Sequence, residues 1–118
     1  MKVIEINTLQ EYINLLNDNN NIILNVSATW CKPCMTIKNE IDIYMKNVNI
    51  PNYIFGKINF DIINEDEEFN HFMKIQKIPY FCIIKNKYIE NEIISSKIKE
   101  ITDFIDNNID NFELNNNF

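Results

Sequence analysis

The stretch from Ile22 to Ala28 is an almost unbroken apolar run, and Trp30-Cys31-Lys32-Pro33-Cys34 follows it directly. A strand that is apolar on both faces has to lie inside a sheet covered by helices on both sides. From Lys32 onward the apolar residues change period, recurring at Ile37, Ile41, Tyr44/Met45 and Val48, which is the spacing of one helix face. The strand-to-helix junction therefore falls on Cys31. Few chains of this size can satisfy both demands except by wrapping an α/β layer structure around that junction.

The junction also defines the chemistry. A helix N-terminus presents unpaired N–H groups and the positive end of the helix dipole, so a cysteine there favours the thiolate and its pKa falls from the free value of about 8.5. Cys34, three residues on and on the same face, is placed to attack a mixed disulfide held by Cys31. Pro33 stiffens the first turn, where its missing N–H costs nothing. A pair of thiols one turn apart is a redox device.

The remaining elements follow in order. Lys2 to Ile6 alternates as a first strand. Thr8 and Glu11 have the spacing of a capping box, and Leu9, Tyr12, Ile13 and Leu16 form one helical face, ended by the Asn/Asp cluster Asn17 to Asn21. After the turn Ile50-Pro51-Asn52, Tyr53 to Phe60 is a third strand with Lys57 in its middle. The acidic run Asn64 to Glu68 opens a helix rather than a metal site, with Phe69, Phe72 and Met73 on its buried face and His71 on its polar side. Ile78 to Ile84 and Tyr88 to Ile94 form a hairpin across Lys85-Asn86-Lys87. Ser95-Ser96 starts a last helix with Ile98, Ile101, Phe104/Ile105, Ile109 and Phe112 at helical spacing. The order is βαβαβαββα, an α/β fold with a central mixed five-stranded sheet flanked by four helices. It forms a single domain over residues 1–112, followed by a short polar tail at 113–118.

Charge and cysteine count narrow the partners. At 118 residues with a net charge of −6, the chain has no cationic face to attract nucleic acid or an anionic membrane. Three cysteines make no even disulfide framework, which points to a reducing compartment and a working pair, with Cys82 as a small hydrophobe inside its strand. Met1 to Asn7 has no signal-peptide pattern, and no run approaches the roughly 18 apolar residues of a membrane span. A cytoplasmic monomer without metal or bound cofactor is expected. The surplus of Asn and Ile reads as A+T coding bias, with Asn in turns and Ile in the core.

Trp30-Cys31-Lys32-Pro33-Cys34 after the second strand, together with Ile78-Pro79 at the head of the fourth, resembles the thioredoxin family, whose usual active site is Trp-Cys-Gly-Pro-Cys. The resemblance covers about residues 2 to 112. It implies a thioredoxin fold, a cis Pro79 facing the cysteine pair, and a groove around Trp30, Pro33, Ile78 and Pro79 that takes an extended substrate chain. It further implies Cys31 as nucleophile, Cys34 as resolving thiol, disulfide-containing protein substrates and an NADPH-dependent flavoenzyme reductase as electron source. A glutaredoxin-type motif of the Cys-Pro-Tyr-Cys kind is not present.

Several positions depart from the family pattern. The buried Asp expected six residues before the first cysteine is Asn25, so Cys34 must lose its proton to water or to another group, and Lys57 stands without that carboxylate while favouring the Cys34 thiolate. Lys32 replaces the usual Gly and should make the disulfide more oxidising. Ser95 replaces a groove glycine and Lys87 a hairpin glycine; Asn39 replaces a helix-kinking proline; Tyr80 adds an aromatic wall. The expected function is thiol–disulfide exchange that reduces protein disulfides. A disulfide oxidant or isomerase and a non-catalytic adaptor are the alternatives.

Overall fold

The structure is a computed structural model and describes residues 1–109. Along the chain it runs β1 (Val3–Ile6), α1 (Leu9–Asp18), β2 (Asn21–Ser27), α2 (Lys32–Asn47), β3 (Ile54–Asn59), α3 (Phe60–Glu65), α4 (Glu67–Met73), β4 (Tyr80–Lys85), β5 (Tyr88–Ile94) and α5 (Ile98–Asn108). The sheet order is β1-β3-β2-β4-β5, with β1, β3 and β2 parallel and the β4–β5 hairpin antiparallel. β2 is the middle strand, as its two-faced apolar run requires.

Alternation along β2 divides the core into two layers. Ile22, Leu24 and Val26 pack with Tyr12, Leu15 and Leu16 of α1 and with Phe69 and Met73 of α4. Ile23 points the other way, into Ile37, Ile41 and Met45 of α2 and Ile101 and Ile105 of α5. Asn25 shares the Ile23 face, so its carboxamide lies under α2. Phe55 packs in the same layer, so Lys57, two residues on in β3, also faces α2, in register with Asn25.

Local signals account for most boundaries. The Glu11 N–H bonds Thr8 Oγ1 at 3.1 Å, and Glu11 Oε1 accepts from the Asn7 N–H at 2.6 Å, one residue further back than an ideal capping box. On α1 the buried residues are Tyr12, Leu15 and Leu16; Leu9 and Ile13 are only partly covered. The hairpin turn has positive φ at both Asn86 (51°) and Lys87 (76°), the backbone a two-residue primed turn needs.

Four expectations are corrected. Phe60 does not end β3 but begins α3, and the helix expected to open at Asn64 is two short helices. Asn59 caps the first through the Asp61 N–H, and Asp66 caps the second through the N–H groups of Glu68 and Phe69. Phe72 is exposed, with its ring edge against Tyr12, while Phe69 and Met73 take the buried face. The last helix starts at Ile98 after Lys97, because the Ser95 hydroxyl accepts the Lys97 N–H and holds the preceding turn instead. Phe112 and the tail at 113–118 lie outside the described residues.

The single glycine of the chain, Gly56, sits where α1 crosses the sheet. A Cβ there would meet Leu24 Cδ1 at 3.0 Å and Leu15 Cδ2 at 3.2 Å. Gly56→Ala should therefore destabilise the fold by about 1–3 kcal/mol through overpacking. The readout is a lower denaturant midpoint at unchanged slope; an unchanged midpoint would mean that α1 yields freely.

Candidate active site

Cys31 is the N-cap residue of α2, and its sulfur accepts the backbone N–H of Cys34 at 3.3 Å. Pro33 occupies the first turn, and the Met35 N–H bonds the Cys31 carbonyl at 3.0 Å. Cys31 and Cys34 are joined as a disulfide with their Cα atoms 5.2 Å apart. Both are buried, Cys31 at 6% exposure and Cys34 at 2%, against Ala28, Met35, Phe60 and Ile78. Cys31 thus keeps the outward edge of the pair, and its sulfur already sits in the N–H field that would stabilise a thiolate.

Two distant segments complete the rim. The Ile78–Pro79 peptide bond is cis, and buried Pro79 lines the same cavity as Cys34. The Pro79 carbonyl accepts the Ser95 N–H at 3.3 Å, fixing this loop to the end of β5. Trp30 is 63% exposed beside Cys31, yet it is held in place: its Nε1–H donates to Asp61 Oδ1 at 2.7 Å and its ring meets Phe60 edge-on. α3 therefore serves the site by anchoring an otherwise free indole.

The thioredoxin family model matches the chain over residues 3–107. The chain belongs to the thioredoxin family. It is 34% identical over 82 residues to a thioredoxin of Neurospora crassa and 28% identical over 91 residues to one of Coprinus comatus. Those alignments cover 69% and 77% of this chain, and 62% and 83% of the relatives' own lengths. Among solved structures, a Schistosoma mansoni thioredoxin superposes with a TM-score of 0.75 at 26% identity, covering 92% of this chain and 96% of that one. A Plasmodium falciparum thioredoxin, at 19% identity and a TM-score of 0.76, shows the same fold.

Within this thioredoxin-family frame the other predicted site residues divide. Lys32 and Pro33 are exposed next to the cysteines, and Ile78 packs against the pair. Tyr80 does not stand as a wall beside them. β4 alternation turns it to the α1 and α4 layer, where it is 5% exposed and its hydroxyl donates to Glu92 Oε2 at 2.7 Å. Ser95 is buried, and its hydroxyl donates to Glu100 Oε1 at 2.6 Å, toward α5. Cys82 faces the same layer as Tyr80, fully buried, and desolvation pushes its thiol up to about 12, so it stays out of exchange near neutral pH.

Lys57 has a carboxylate partner after all, from an unexpected direction. Its Nζ lies 2.8 Å from Asp42 Oδ1, while Lys38 Nζ lies 2.8 Å from Asp42 Oδ2. Partial burial works to raise the Asp42 carboxyl, but the hydrogen bonds and charges of the two lysines outweigh it and hold the group below its ordinary value. Asn25 donates to the Tyr80 carbonyl at 3.2 Å. Sequence reasoning missed Asp42, although Cys34, Lys38 and Asp42 stand at i, i+4 and i+8 on one helix face.

Proposed function

We propose that the protein reduces disulfide bonds in other proteins by dithiol–disulfide exchange, and so takes part in cell redox homeostasis. The carrying observation is the Cys31–Cys34 disulfide at the N-cap of α2, with the outer sulfur in the N–H field and the inner one buried behind it. In the reduced protein the Cys31 thiolate attacks a partner disulfide and displaces one partner thiolate. The Cys34 thiolate then attacks Cys31, the second partner sulfur leaves, and the pair ends as the disulfide. The exposed Trp30, the neighbouring Ile78 and the cis Pro79 loop support a protein chain as substrate, since they give an apolar rim beside backbone groups.

An NADPH-dependent flavoenzyme reductase would return the electrons, and action as a monomer in the cytoplasm completes the reading. These parts rest on the family and on composition. No helix among the described residues is long and apolar enough to cross a membrane.

Equilibration with glutathione buffers, followed through the fluorescence of the single tryptophan, Trp30, tests the proposal. A potential near the ~−270 mV of a reducing thioredoxin is the expected result. A value near the roughly −180 mV of an isomerase, or higher, would favour an oxidant or isomerase instead, the direction in which Lys32 pushes. No reversible disulfide at all would leave a binding module.

A further inference from the structure

Beneath Cys34 lies a cavity of about 30 Å³ bounded by Asn25, Lys38, Asp42, Lys57 and Pro79. That is room for a water molecule, which needs ~10–15 Å³. Cys34, 2% exposed, lines this chamber together with those polar side chains. The charged groups lining it are two ammonium groups, from Lys38 on α2 and Lys57 on β3, and one carboxylate, Asp42 on α2, bonded to both.

The geometry points to a three-charge cluster of Lys38, Asp42 and Lys57 that sets how readily Cys34 gives up its proton, with Asp42 as a positioning residue that opposes the two ammonium groups. This deepens the reductase reading and rests on it, because Cys34 has to become a thiolate for the mixed disulfide to resolve. In that step the Cys34 proton passes to water and out to solvent. The sulfur's electron pair forms the Cys34–Cys31 bond, and the Cys31–partner bond breaks with its electrons leaving on the partner thiolate.

Asp42 is poorly suited to take the proton itself, because two ammonium groups keep it ionised throughout the range in which a thiol titrates. Asn25 and Ser27, facing from β2, are neutral, and Pro79 carries no ionisable group. Glu5 of β1 stands opposite Lys57 in register, but it faces Lys38 and Lys57 from the neighbouring open cavity rather than the chamber under Cys34. Asp61, on α3, is engaged with Trp30. The cluster therefore acts on Cys34 as a fixed field: each cation favours the thiolate and Asp42 offsets part of that help.

The two signs give a test that a purely structural role does not pass. The reduced protein is mixed with one equivalent of an aromatic disulfide whose thiolate absorbs visible light, and the pH dependence of the second colour burst, the release from Cys31 by Cys34, is recorded. In Asp42→Asn the midpoint should move to lower pH by about half a unit, close to threefold faster release below the midpoint, and in Lys57→Met it should move up by a similar amount. The double variant restores the lining charge and should return close to the original profile. Thiolate absorbance of Cys34 in a Cys31→Ser background reads the same shifts directly, and Cys82 is silent there because burial pushes its thiol up to about 12. Shifts in one direction for both variants, no shift, or slower release at every pH in Asp42→Asn would overturn the cluster. Absence of a second burst in the unsubstituted protein would instead remove the reductase reading, and the cluster with it.

Discussion

Replacing Cys34 with serine should leave a protein that attacks a disulfide once and then stays attached to its partner. The pair is asymmetric in what it can do. Cys31 sits at the outer edge, with its sulfur in the N–H field of α2, while Cys34 is 2% exposed, packed in the cluster of Ala28, Met35, Phe60 and Ile78 and lining the inner chamber. A serine hydroxyl cannot displace a thiolate from sulfur near neutral pH, so the Cys31–partner bond persists. Turnover should drop to the background of uncatalysed exchange, and a covalent complex sensitive to thiol reagents should accumulate on non-reducing gels, with one partner per protein by mass spectrometry. Cys31→Ser should lose turnover as completely but accumulate nothing. If Cys34→Ser still turned over, or if the complex formed through Cys34 instead, the order of the two sulfurs would be wrong.

The second large effect is on the fold. Phe81 is completely buried in the layer between the sheet and helices α2 and α5, in register with Asn25 on β2. Truncating it to alanine removes the whole ring from the layer it shares with Ile23, Ile83, Ile101 and Ile105, where sheet and helix relax only partly into the gap. Phe81→Ala should cost about 3–5 kcal/mol. For a domain whose whole stability lies in the range of about 5–15 kcal/mol, that is a large share. The midpoint of thermal unfolding should fall by roughly 10–20 °C, measured by circular dichroism. A change below about 1 kcal/mol would mean that the layer repacks far more readily than its enclosure implies.

Why parts of this molecule were legible in the sequence follows from how far each signal reaches. The β2 run, the change of period at Cys31 and the hairpin around Asn86 are set by neighbours within a few residues, and each appears where the pattern puts it. The placing of Pro79 against the cysteine pair was legible only through the family likeness, since 48 positions separate it from Cys31. The split between α3 and α4 was missed because the acidic run from Asn64 to Glu68 reads as one helix start, while Asp66 in fact caps a second. The direction of Tyr80 was misjudged because it depends on the strand's phase: β4 begins at Tyr80 itself, and that phase turns its side chain to the α1 layer. The partner of Lys57 was sought on the adjacent strand, and it came from the helix above. Side-chain length allows that choice, and no local pattern records it.

One sulfur atom ends a helix and also carries electrons. Since Cys31 is the N-cap of α2, the energy of the first helical turn forms one side of a thermodynamic square whose other side is the reduction of the disulfide. Any substitution that steadies that turn more in the oxidised form than in the reduced form makes the protein a stronger reductant, by about 30 mV for each 1.4 kcal/mol of difference. Variants that gain heat resistance through that difference move toward lower potentials without any change at the cysteines, whereas those that stabilise both forms equally leave the potential where it was. At that single turn of backbone, thermal tolerance of the oxidised form and reducing power are coupled.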